Sequence, residues 1–551
     1  MQNVQSGVNI FCFNFRQGKL CPYPLLRYLP RIKKFHTMRL GEKTGTASLI
    51  INDGKRFIVT NEHVIRSHTA VHVTVEGSSK KFPANVIFAN ASCDLALLEI
   101  TGEFEIFEKL VEYSPLDLDI PKRGIKLSTH GFPSGGQGYC VTEGSVSRVE
   151  SAPYITLGID LLRIQISAPI NPGSSGGIAV NENDGKILGI TSSGISSAQN
   201  IGYIIPSLII EKFVNQYLRF KNNPFRSRAT FPGFNVYTQP IQQKSLRNHY
   251  KLDKISDQES AEELGLLITE IPVISIFKKI LKTNDVILAV DNYNVRSDGK
   301  INFKSAEISI QAYFAITKKL GDEAQFKVWR ATEDLDFETI NLSIHLSQFY
   351  DELYMLAHQP YQAVSYYVQT DGAIFVVPNY SFLTHYDKKF QSSGTSYRDS
   401  TNRPISIGKH LYSTKNSYEE QIVYLTDILD TSESLGIHNR SGAVESINDE
   451  KIYTITQLAE ILEKIKEPAI LKLTSGTNII LTPNSEQKEK DFCEKNGIQH
   501  RMSSSISKFL NMEKNQKDKM TEVLKQMGTF SNNTKEKELL NVEMVKESAT
   551  I

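Results

Sequence analysis

Apolar and polar residues alternate over short runs along the first part of the chain, and turns containing Gly, Pro or Asn separate the runs. Alternation with a period of two predicts half-buried β-strands, and many short strands of this kind predict a sandwich or a barrel. Val8–Phe15 alternates in this way, while Phe57–Thr60 and Leu95–Ile100 are mostly apolar runs. We therefore predict a mainly β fold with a double β-barrel over residues 1–222, closed by a helix at Leu208–Arg219.

The pattern changes after a polar boundary rich in Gly, Pro and Asn at residues 221–234. Such clusters mark loops between domains. Further on, residues 385–420 are polar and rich in Ser, Thr and Asn, which predicts an inserted surface loop, whereas Gln457–Ile465 has helical spacing. Met512–Met527 also has helical spacing, and the Lys/Glu-rich end beyond it is typical of disorder. The domains predicted after the barrels are 230–346, 350–490 and a tail at 491–551.

Composition narrows the functional class. A chain of 551 residues is too long for one core, so about three domains are expected. The net charge of +1 gives no reason to expect a nucleic-acid or membrane partner, and no apolar run approaches the length of a membrane-spanning helix. The five cysteines form no C-x-x-C pair. Their odd number and scatter argue against a disulfide framework or zinc site and favour a reducing compartment.

The segment Asn171–Ile178 reads NPGSSGGI and is the first candidate for chemistry. A serine between glycines, after a turn that proline restricts, exposes its hydroxyl where backbone can approach closely. Acyl transfer needs such an exposed nucleophile, with backbone N–H groups directed at the developing oxyanion. We expect Ser175 to be the nucleophile and the N–H groups of Gly173 and Ser175 to be the oxyanion donors. Small-residue turns are common, so the motif needs partners.

Two partners lie upstream of this turn. His63 follows the apolar run Phe57–Thr60, and Asp94 precedes the run Leu95–Ile100. Either residue alone is commonly a surface group or a turn former. Together with Ser175 they follow the chain order His, Asp, Ser of chymotrypsin-like enzymes. In that arrangement Ser175 attacks the carbonyl, His63 transfers the proton, and Asp94 sets the tautomer and orientation of the imidazole.

Seven consecutive segments form a set of motifs: Gly45–Ile50, Ile58–Val64, Asp94–Leu98, Gly144–Arg148, Asn171–Gly177, Gly185–Ile190 and Asn200–Pro206. Together they resemble the signatures of HtrA/Deg serine proteases. The downstream part is similar to the plant-type Deg branch, and the resemblance covers most of residues 5–490. The sequence departs from the family pattern at Ser174, where the family usually has Asn, and at Ile178, where it usually has Pro. Both departures could alter the oxyanion loop.

The resemblance implies a chymotrypsin-like double β-barrel and an ATP-independent endopeptidase without cofactor or metal. It implies unfolded or damaged polypeptides as substrates, bound as an extended strand beside Thr191, Ser192 and Ser193. It also implies a preference for small aliphatic side chains before the scissile bond and a homo-oligomer built from trimers, with hexamers among plant-type relatives. The rival interpretation is a non-catalytic or conditionally inactive chaperone or scaffold with a misaligned oxyanion loop.

Residues 230–346 resemble a PDZ domain. Its carboxylate-binding loop and following strand would be Leu264, Gly265, Leu266 and Leu267, continuing to Ile268. Such a loop offers backbone N–H groups to a peptide's terminal carboxylate, and the strand edge pairs with the peptide. The alternative is a core strand in a domain that binds no peptide. Residues 350–490 resemble a second, divergent PDZ domain, with first strands at Tyr366–Val368 and Gly372–Pro378.

The N-terminus supports two interpretations. Residues 1–41 contain seven Lys or Arg and no Asp or Glu, which is typical of a mitochondrial or chloroplast transit peptide. Val8–Phe15, however, resembles the first strand of the plant-type Deg protease domain, which leaves no room for a removable leader. We expect a cytoplasmic or other intracellular protein without a cleaved signal. The polar C-terminus leaves a further alternative, an exported bacterial effector that acts in a host cell.

Overall fold

The structure is a computed structural model of the whole chain. It describes residues 7–17, 38–52, 55–66, 68–75, 81–101, 115–133, 138–154, 159–194, 200–221, 231–255, 264–334, 336–356, 365–379, 405–408, 410, 413–417, 420–429, 441–496, 500–512 and 516–517.

The described strands fall into three groups along the chain. Those of the first group are β1 Gly7–Gln17, β2 Met38–Asn52, β3 Lys55–Thr60, β4 His68–Val75, β5 Phe82–Asn90, β6 Leu95–Ile100, β7 Lys126–Gly131, β8 Cys140–Ala152, β9 Leu161–Ile166, β10 Ile178–Asn181, β11 Ile187–Gly194 and β12 Gly202–Pro206. Those of the second are β13 Tyr237–Pro240, β14 Leu266–Glu270, β15 Val286–Val290, β16 Tyr293–Asn294, β17 Lys300–Phe303, β18 Ala306–Ser309, β19 Glu323–Ala331 and β20 Phe337–His345. Those of the third are β21 Tyr366–Val368, β22 Ala373–Val376, β23 Tyr424–Ile428, β24 Gly442–Ile447, β25 Glu450–Lys451, β26 Ala469–Leu473 and β27 Asn478–Leu481.

The described helices are short apart from the one that follows β12. They are α1 Glu62–Ile65, α2 Ser207–Phe220, α3 Lys244–His249, α4 Ile310–Thr317, α5 Ile405–Gly408, α6 Ile455–Lys464, α7 Glu486–Asn496 and α8 Ser504–Leu510, with 3-10 turns at Leu252–Lys254, Ile276–Lys279 and Tyr350–Leu353.

The first six strands close into a barrel in the order β1-β2-β3-β6-β5-β4. The strand expected at Val8–Phe15 is confirmed as β1, which pairs antiparallel with β4 and places Val8 opposite Val75. Inside, the apolar runs identified in the sequence supply fully buried residues such as Val59 and Leu97. Closing the sheet leaves no exposed strand edge in this barrel.

The next six strands form a second barrel. Their order is β8-β7-β10-β11-β12-β9, and β9 pairs back onto β8. Leu127, Ile164 and Ile204 are buried together in its interior. Helix α2 follows directly and confirms the helix expected at Leu208–Arg219. The predicted double β-barrel is therefore confirmed.

Residues 231–351 belong to the same compact unit as the barrels. Their main sheet has the order β13-β14-β15-β19-β20, and the hairpin β17–β18 joins the second barrel because β18 pairs parallel with β8. Helix α4 is buried from Ile310 to Ile316. Phe314 of α4 shares one apolar core with Phe213 of α2. The predicted domain at 230–346 is therefore packed on the barrels through a continuous core.

The second compact unit holds a sheet in the order β21-β22-β23-β24-β26-β27. The expected strands at Tyr366–Val368 and within Gly372–Pro378 are confirmed, and α6 confirms the helix expected at Gln457–Ile465 within two residues. Leu458 and Leu462 of α6 are fully buried against the sheet.

The predicted boundary of this domain at residue 490 is wrong, because it cuts α7. The chain beyond it still belongs to the domain, since Ile506 is fully buried in the same core. Arg501 is also buried, and its guanidinium pairs with Glu463 at 2.8 Å and Glu489 at 2.9 Å. A buried charge needs such partners, so these pairs attach residues 500–512 to the domain.

Two other expectations fall largely outside the described residues. The polar segment 385–420 is described only in part, and that part includes the helical turn α5, so it is not loop throughout. Most of the helix expected at Met512–Met527, and the tail beyond it, lies outside the described residues. Among the described residues, no helix has the length and apolar character needed to cross a membrane.

Candidate active site

Asp94, just before β6, and His63, just after β3, lie side by side because β3 and β6 are antiparallel neighbours in the first barrel. Asp94 ends the turn before β6 with a φ of 54°, a left-handed conformation that Asp tolerates better than most residues. Its carbonyl accepts from Asn61 Nδ2 at 3.0 Å and from Glu62 N at 3.1 Å. Helix α1 is thereby held against the turn, and this places the His63 ring beside the carboxylate.

The Asp94 carboxylate is almost fully buried and lies 2.8 Å from His63 Nδ1 through Oδ2. Its Oδ1 also accepts from the backbone N–H of His63 at 2.9 Å. Burial acts to raise the pKa of Asp94, but the attraction and hydrogen bonds of His63 outweigh it, so the pKa is lowered. An ionised Asp94 keeps the proton of neutral His63 on Nδ1, and Nε2 is then the basic nitrogen.

A third residue holds this carboxylate. Ser192, on β11, donates its hydroxyl to Asp94 Oδ2 at 2.8 Å and is itself buried. The sequence predicted only that Ser192 belongs to the substrate strand. Its bond to Asp94 joins residues 98 positions apart, and no local pattern marks such a contact.

The turn that carries Ser175 depends on its glycines. Gly173 and Gly176 have φ values of 99° and 94°, which favour glycine strongly. A Cβ on Gly176 would lie 1.8 Å from the carbonyl oxygen of Thr46, and one on Gly177 would lie 2.1 Å from that of His130. The turn is therefore pressed against both barrels with no room for larger residues.

The Ser175 hydroxyl donates to the carbonyl oxygen of Ser192 at 2.9 Å. A hydroxyl has one proton, so while it is donated to Ser192 O it is not donated to His63. Ser192 also donates to the Asp94 carboxylate, which contacts His63, so contacts through Ser192 connect the three side chains predicted for the triad.

The backbone N–H groups of the turn divide into two sets. Those of Ser174, Gly176 and Gly177 donate to backbone oxygens at 3.0, 2.9 and 3.0 Å respectively. Within the described part of the chain, the N–H groups of Gly173 and Ser175 donate to no acceptor. These two are the groups expected to face an oxyanion, and that role stays a prediction.

Of the two departures from the family pattern, Ile178 is the more informative. It begins β10, is buried, and lies opposite Ile190 on one side and His130 on the other. A proline in its place would lack the N–H that a strand paired on both sides uses. The isoleucine is accommodated as an ordinary strand residue. Nothing in the structure gives Ser174 a comparable role for its side chain.

The predicted substrate strand is part of β11. Thr191 N donates to Gly177 O at 2.7 Å, which joins the strand to the Ser175 turn. Beside Ser192 and Ser193 lies a cavity of about 230 Å³, also lined by Tyr154, Arg163 and Tyr203. The structure thus places a recess along the strand that was expected to bind substrate.

Comparisons with known proteins show which families the chain is similar to. Residues 45–190 match the trypsin-like peptidase domain family, and residues 356–505 match the PDZ domain family. Protease Do-like 4, mitochondrial, of Arabidopsis thaliana is 35% identical over 297 residues, 54% of this chain and 54% of that protein. Protease Do-like 2, chloroplastic, from the same plant is 29% identical over 77% of this chain and 64% of its own length. The chain is thus similar to Deg/HtrA-type proteases in these comparisons.

The chain spans about half of the length of Do-like 4. A solved structure described as HtrA-type protease AlgW with decapeptide is 19% identical to this chain with a TM-score of 0.43, and the match covers 62% of this chain and 95% of that one. The match to the PDZ family falls on the divergent domain, and it ends at residue 505, in line with the boundary found in the structure.

The loop at Leu264–Leu267 does not offer the free backbone N–H groups and open strand edge that a carboxylate-binding site needs. The N–H of Gly265 donates to Val295 O at 2.9 Å. Leu266 and Leu267 are buried and paired on both sides, with β13 and with β15. The expectation of N–H groups and a strand edge open to a peptide is therefore wrong here, because the domain's own strands use them.

The described part of this chain contains no group of three His, Cys, Asp or Glu residues placed to hold a metal ion. Cys93, Cys140 and Cys493 are free thiols. Next to Asp94, Cys93 is fully buried, and burial raises the pKa of its thiol well above the usual range. It is therefore an inert packing residue at this site.

Proposed function

We propose that this protein is a serine endopeptidase that cleaves peptide bonds through an acyl-enzyme intermediate. The observation that carries the proposal is the contact between His63 Nδ1 and the buried, ionised Asp94 at 2.8 Å, at the turn that carries Ser175. Substrate binding would rotate the Ser175 hydroxyl from Ser192 O toward His63. His63 then takes the proton, and the tetrahedral oxyanion accepts from Gly173 N and Ser175 N.

The leaving amine receives the proton from His63, and a water molecule repeats the sequence to release the acid product. Asp94 stays ionised throughout and stabilises the imidazolium, with the Ser192 hydroxyl donating to Asp94 Oδ2. No nucleotide takes part in these steps, so we propose ATP-independent cleavage. Because an extended chain can pair with Thr191–Ser193, we propose unfolded or damaged polypeptides as the substrates.

The test is cleavage of casein by the purified full-length protein, with Ser175→Ala as the matched control. Wild-type protein is expected to produce fragments, and the alanine variant none above background. If circular dichroism shows that both proteins are folded, equal and negligible cleavage by both would contradict the proposal.

One observation favours the second candidate, a conditionally inactive chaperone or scaffold. The Ser175 hydroxyl donates to Ser192 O, so the resting site is not set for attack. If this state persists with substrate bound, the protein would hold unfolded chains without cutting them. Suppression of the aggregation of a heat-denatured client by wild type, with no cleavage, would support this candidate.

Assembly and location are further proposals. We propose a homo-oligomer built from trimers, which analytical ultracentrifugation tests; a monomer at micromolar concentration would contradict it.

The names of Do-like 4 and Do-like 2 place those relatives in mitochondria and chloroplasts, and the expected cytoplasmic location gains no support from them. We propose an organelle in which β1 is kept, because cleavage near residues 35–40 would remove a strand paired with β4. N-terminal sequencing of the native protein tests this.

A further inference from the structure

A buried threonine of the first barrel forms hydrogen bonds to the turn that carries Ser175. Thr46, on β2, is fully buried. Its Oγ1 accepts from the backbone N–H of Phe132 at 3.0 Å and donates to the carbonyl oxygen of Gly173 at 2.8 Å. One hydroxyl therefore links the start of the loop after β7 to the turn that precedes Ser175, across 127 residues of sequence in the second contact.

The backbone of Thr46 makes a second connection. Its N–H donates to Ser175 O at 2.8 Å, so the carbonyls on both sides of Ser174 are held by one residue. Its own carbonyl accepts from Thr60 Oγ1 at 2.8 Å, and Gly176 packs directly against that carbonyl. Thr46 is thus fixed in turn by the barrel.

These contacts affect the direction of the N–H groups of Gly173 and Ser175, which donate to no acceptor within the described part of the chain. Gly173 has no Cβ and a φ of 99°, so its torsions are weakly restricted by its own atoms. Its carbonyl belongs to the peptide unit between Gly173 and Ser174, which lies between the two peptide units that carry the N–H groups of Gly173 and Ser175. The N–H of this middle unit donates to Asn171 O at 3.0 Å, and within the described residues only the Thr46 hydroxyl donates to its carbonyl.

We propose that Thr46 is a positioning residue for the oxyanion site, acting through Gly173 and Ser175 and not on substrate. The proposal rests on the proposed protease function. Valine has the shape of threonine but carries a methyl group in place of the hydroxyl. A valine at position 46 could therefore neither donate to Gly173 O nor accept from Phe132 N–H. Oxyanion stabilisation is lost steeply when donors are misplaced.

The experiment compares Thr46→Val with Thr46→Ser in the full-length protein, using a fluorogenic peptide substrate. We expect Thr46→Val to lower kcat about 10–100-fold with KM within about twofold, since removal of an oxyanion donor outright costs ~10²–10³. Thr46→Ser keeps the hydroxyl and should restore kcat to within about threefold. Affinity for a peptide boronate, which mimics the tetrahedral state, should fall in parallel with kcat.

The matched control is Thr129→Val. Thr129 is also buried on a barrel strand, and its hydroxyl donates to Thr142 O at 3.3 Å, away from the turn. It should keep kcat within about twofold. An equal loss in Thr46→Val and Thr129→Val, or a Thr46→Ser variant as impaired as Thr46→Val, would overturn the proposal in favour of a packing role.

Hydrogen–deuterium exchange separates this proposal from the proposed function. We expect faster exchange over residues 171–177 in Thr46→Val and wild-type exchange there in Thr129→Val, whether or not the protein cleaves peptides. An inactive wild type with this exchange pattern would reject the protease function and retain the control of the turn by Thr46. Unchanged exchange in Thr46→Val would overturn the positioning role.

Discussion

The turn at 171–177 and the loop at 264–267 both place a left-handed glycine ahead of a buried strand, and both were predicted to offer backbone N–H groups to a ligand. They differ in how those groups are used. The N–H groups of Gly173 and Ser175 have no acceptor within the described chain, whereas that of Gly265 donates to Val295 O at 2.9 Å. A glycine turn becomes a candidate site when its donors are left unused by the fold, and the sequence does not show this.

The largest effect on kcat is expected from a substitution of Asp94, which belongs to the same proposed site as the turn at 171–177. Asp94→Asn should lower kcat by about four orders of magnitude, because the amide cannot hold the proton on His63 Nδ1. Folding should survive, since Asn tolerates the left-handed φ of 54° at this position. Steady-state kinetics measures the loss of kcat, and thermal unfolding measures whether the variant still folds. Asp184→Asn, at an exposed carboxylate, is the control, and near wild-type activity of Asp94→Asn would show that Asp94 is not the triad acid.

The next effect tests how tightly the catalytic turn is packed. Gly176→Ala should destabilise the protein by about 3 kcal/mol or more, because the new Cβ would meet Thr46 O while φ is unfavourable. Gly185→Ala is a matched control with a φ of 72° and open space around its Cβ. It should cost about 1 kcal/mol. Denaturant unfolding measures both, and equal losses would show that conformation alone, not close packing, restricts residue 176.

A smaller effect is expected from the serine that holds Asp94. Ser192→Ala should lower kcat about tenfold, as expected for loss of one hydrogen bond to a charged group. It should also raise the pKa of Asp94, because that bond helps to lower it, and NMR titration of the Asp94 carboxyl measures this change. Ser207→Ala removes a buried hydroxyl at the start of α2 and should change neither kcat nor the Asp94 titration. An unaltered Asp94 titration in Ser192→Ala would contradict the assigned contact.

No effect is expected at the loop of residues 264–267. In Ser175→Ala protein, peptides with a free C-terminal carboxylate should leave hydrogen exchange over this loop unchanged, because its donors and strand edges are already paired. A peptide aldehyde bound to wild-type protein should instead slow exchange over residues 171–177. Protection of residues 264–267 that requires the free carboxylate would reverse the comparison between the two regions.

Local patterns predicted the barrel strands and helix α2, because each depends on residues close together in the sequence. The proposed triad of His63, Asp94 and Ser175 required the chain order of three separated segments as well. The contacts that adjust the site were not predictable in this way. Ser192 reaches Asp94 across 98 residues, and Thr46 reaches Gly173 across 127. The pairing of β13 with β14, which closes the predicted peptide edge, likewise depends on tertiary packing. The domain end at residue 490 was misplaced because the pairs of buried Arg501 are also distant in sequence.

The most direct test of the central claim, that Ser175 is a nucleophile activated by His63 and Asp94, is labelling with a fluorophosphonate probe followed by mass spectrometry. This measures the competence of the turn without knowledge of the natural substrate. We predict one adduct, on Ser175, that forms in wild-type protein, is absent in Ser175→Ala, and forms at least 100-fold more slowly in His63→Ala, as expected when the general base is removed. Labelling of Ser175 at the same rate in wild type and His63→Ala, or no labelling at all, would contradict it.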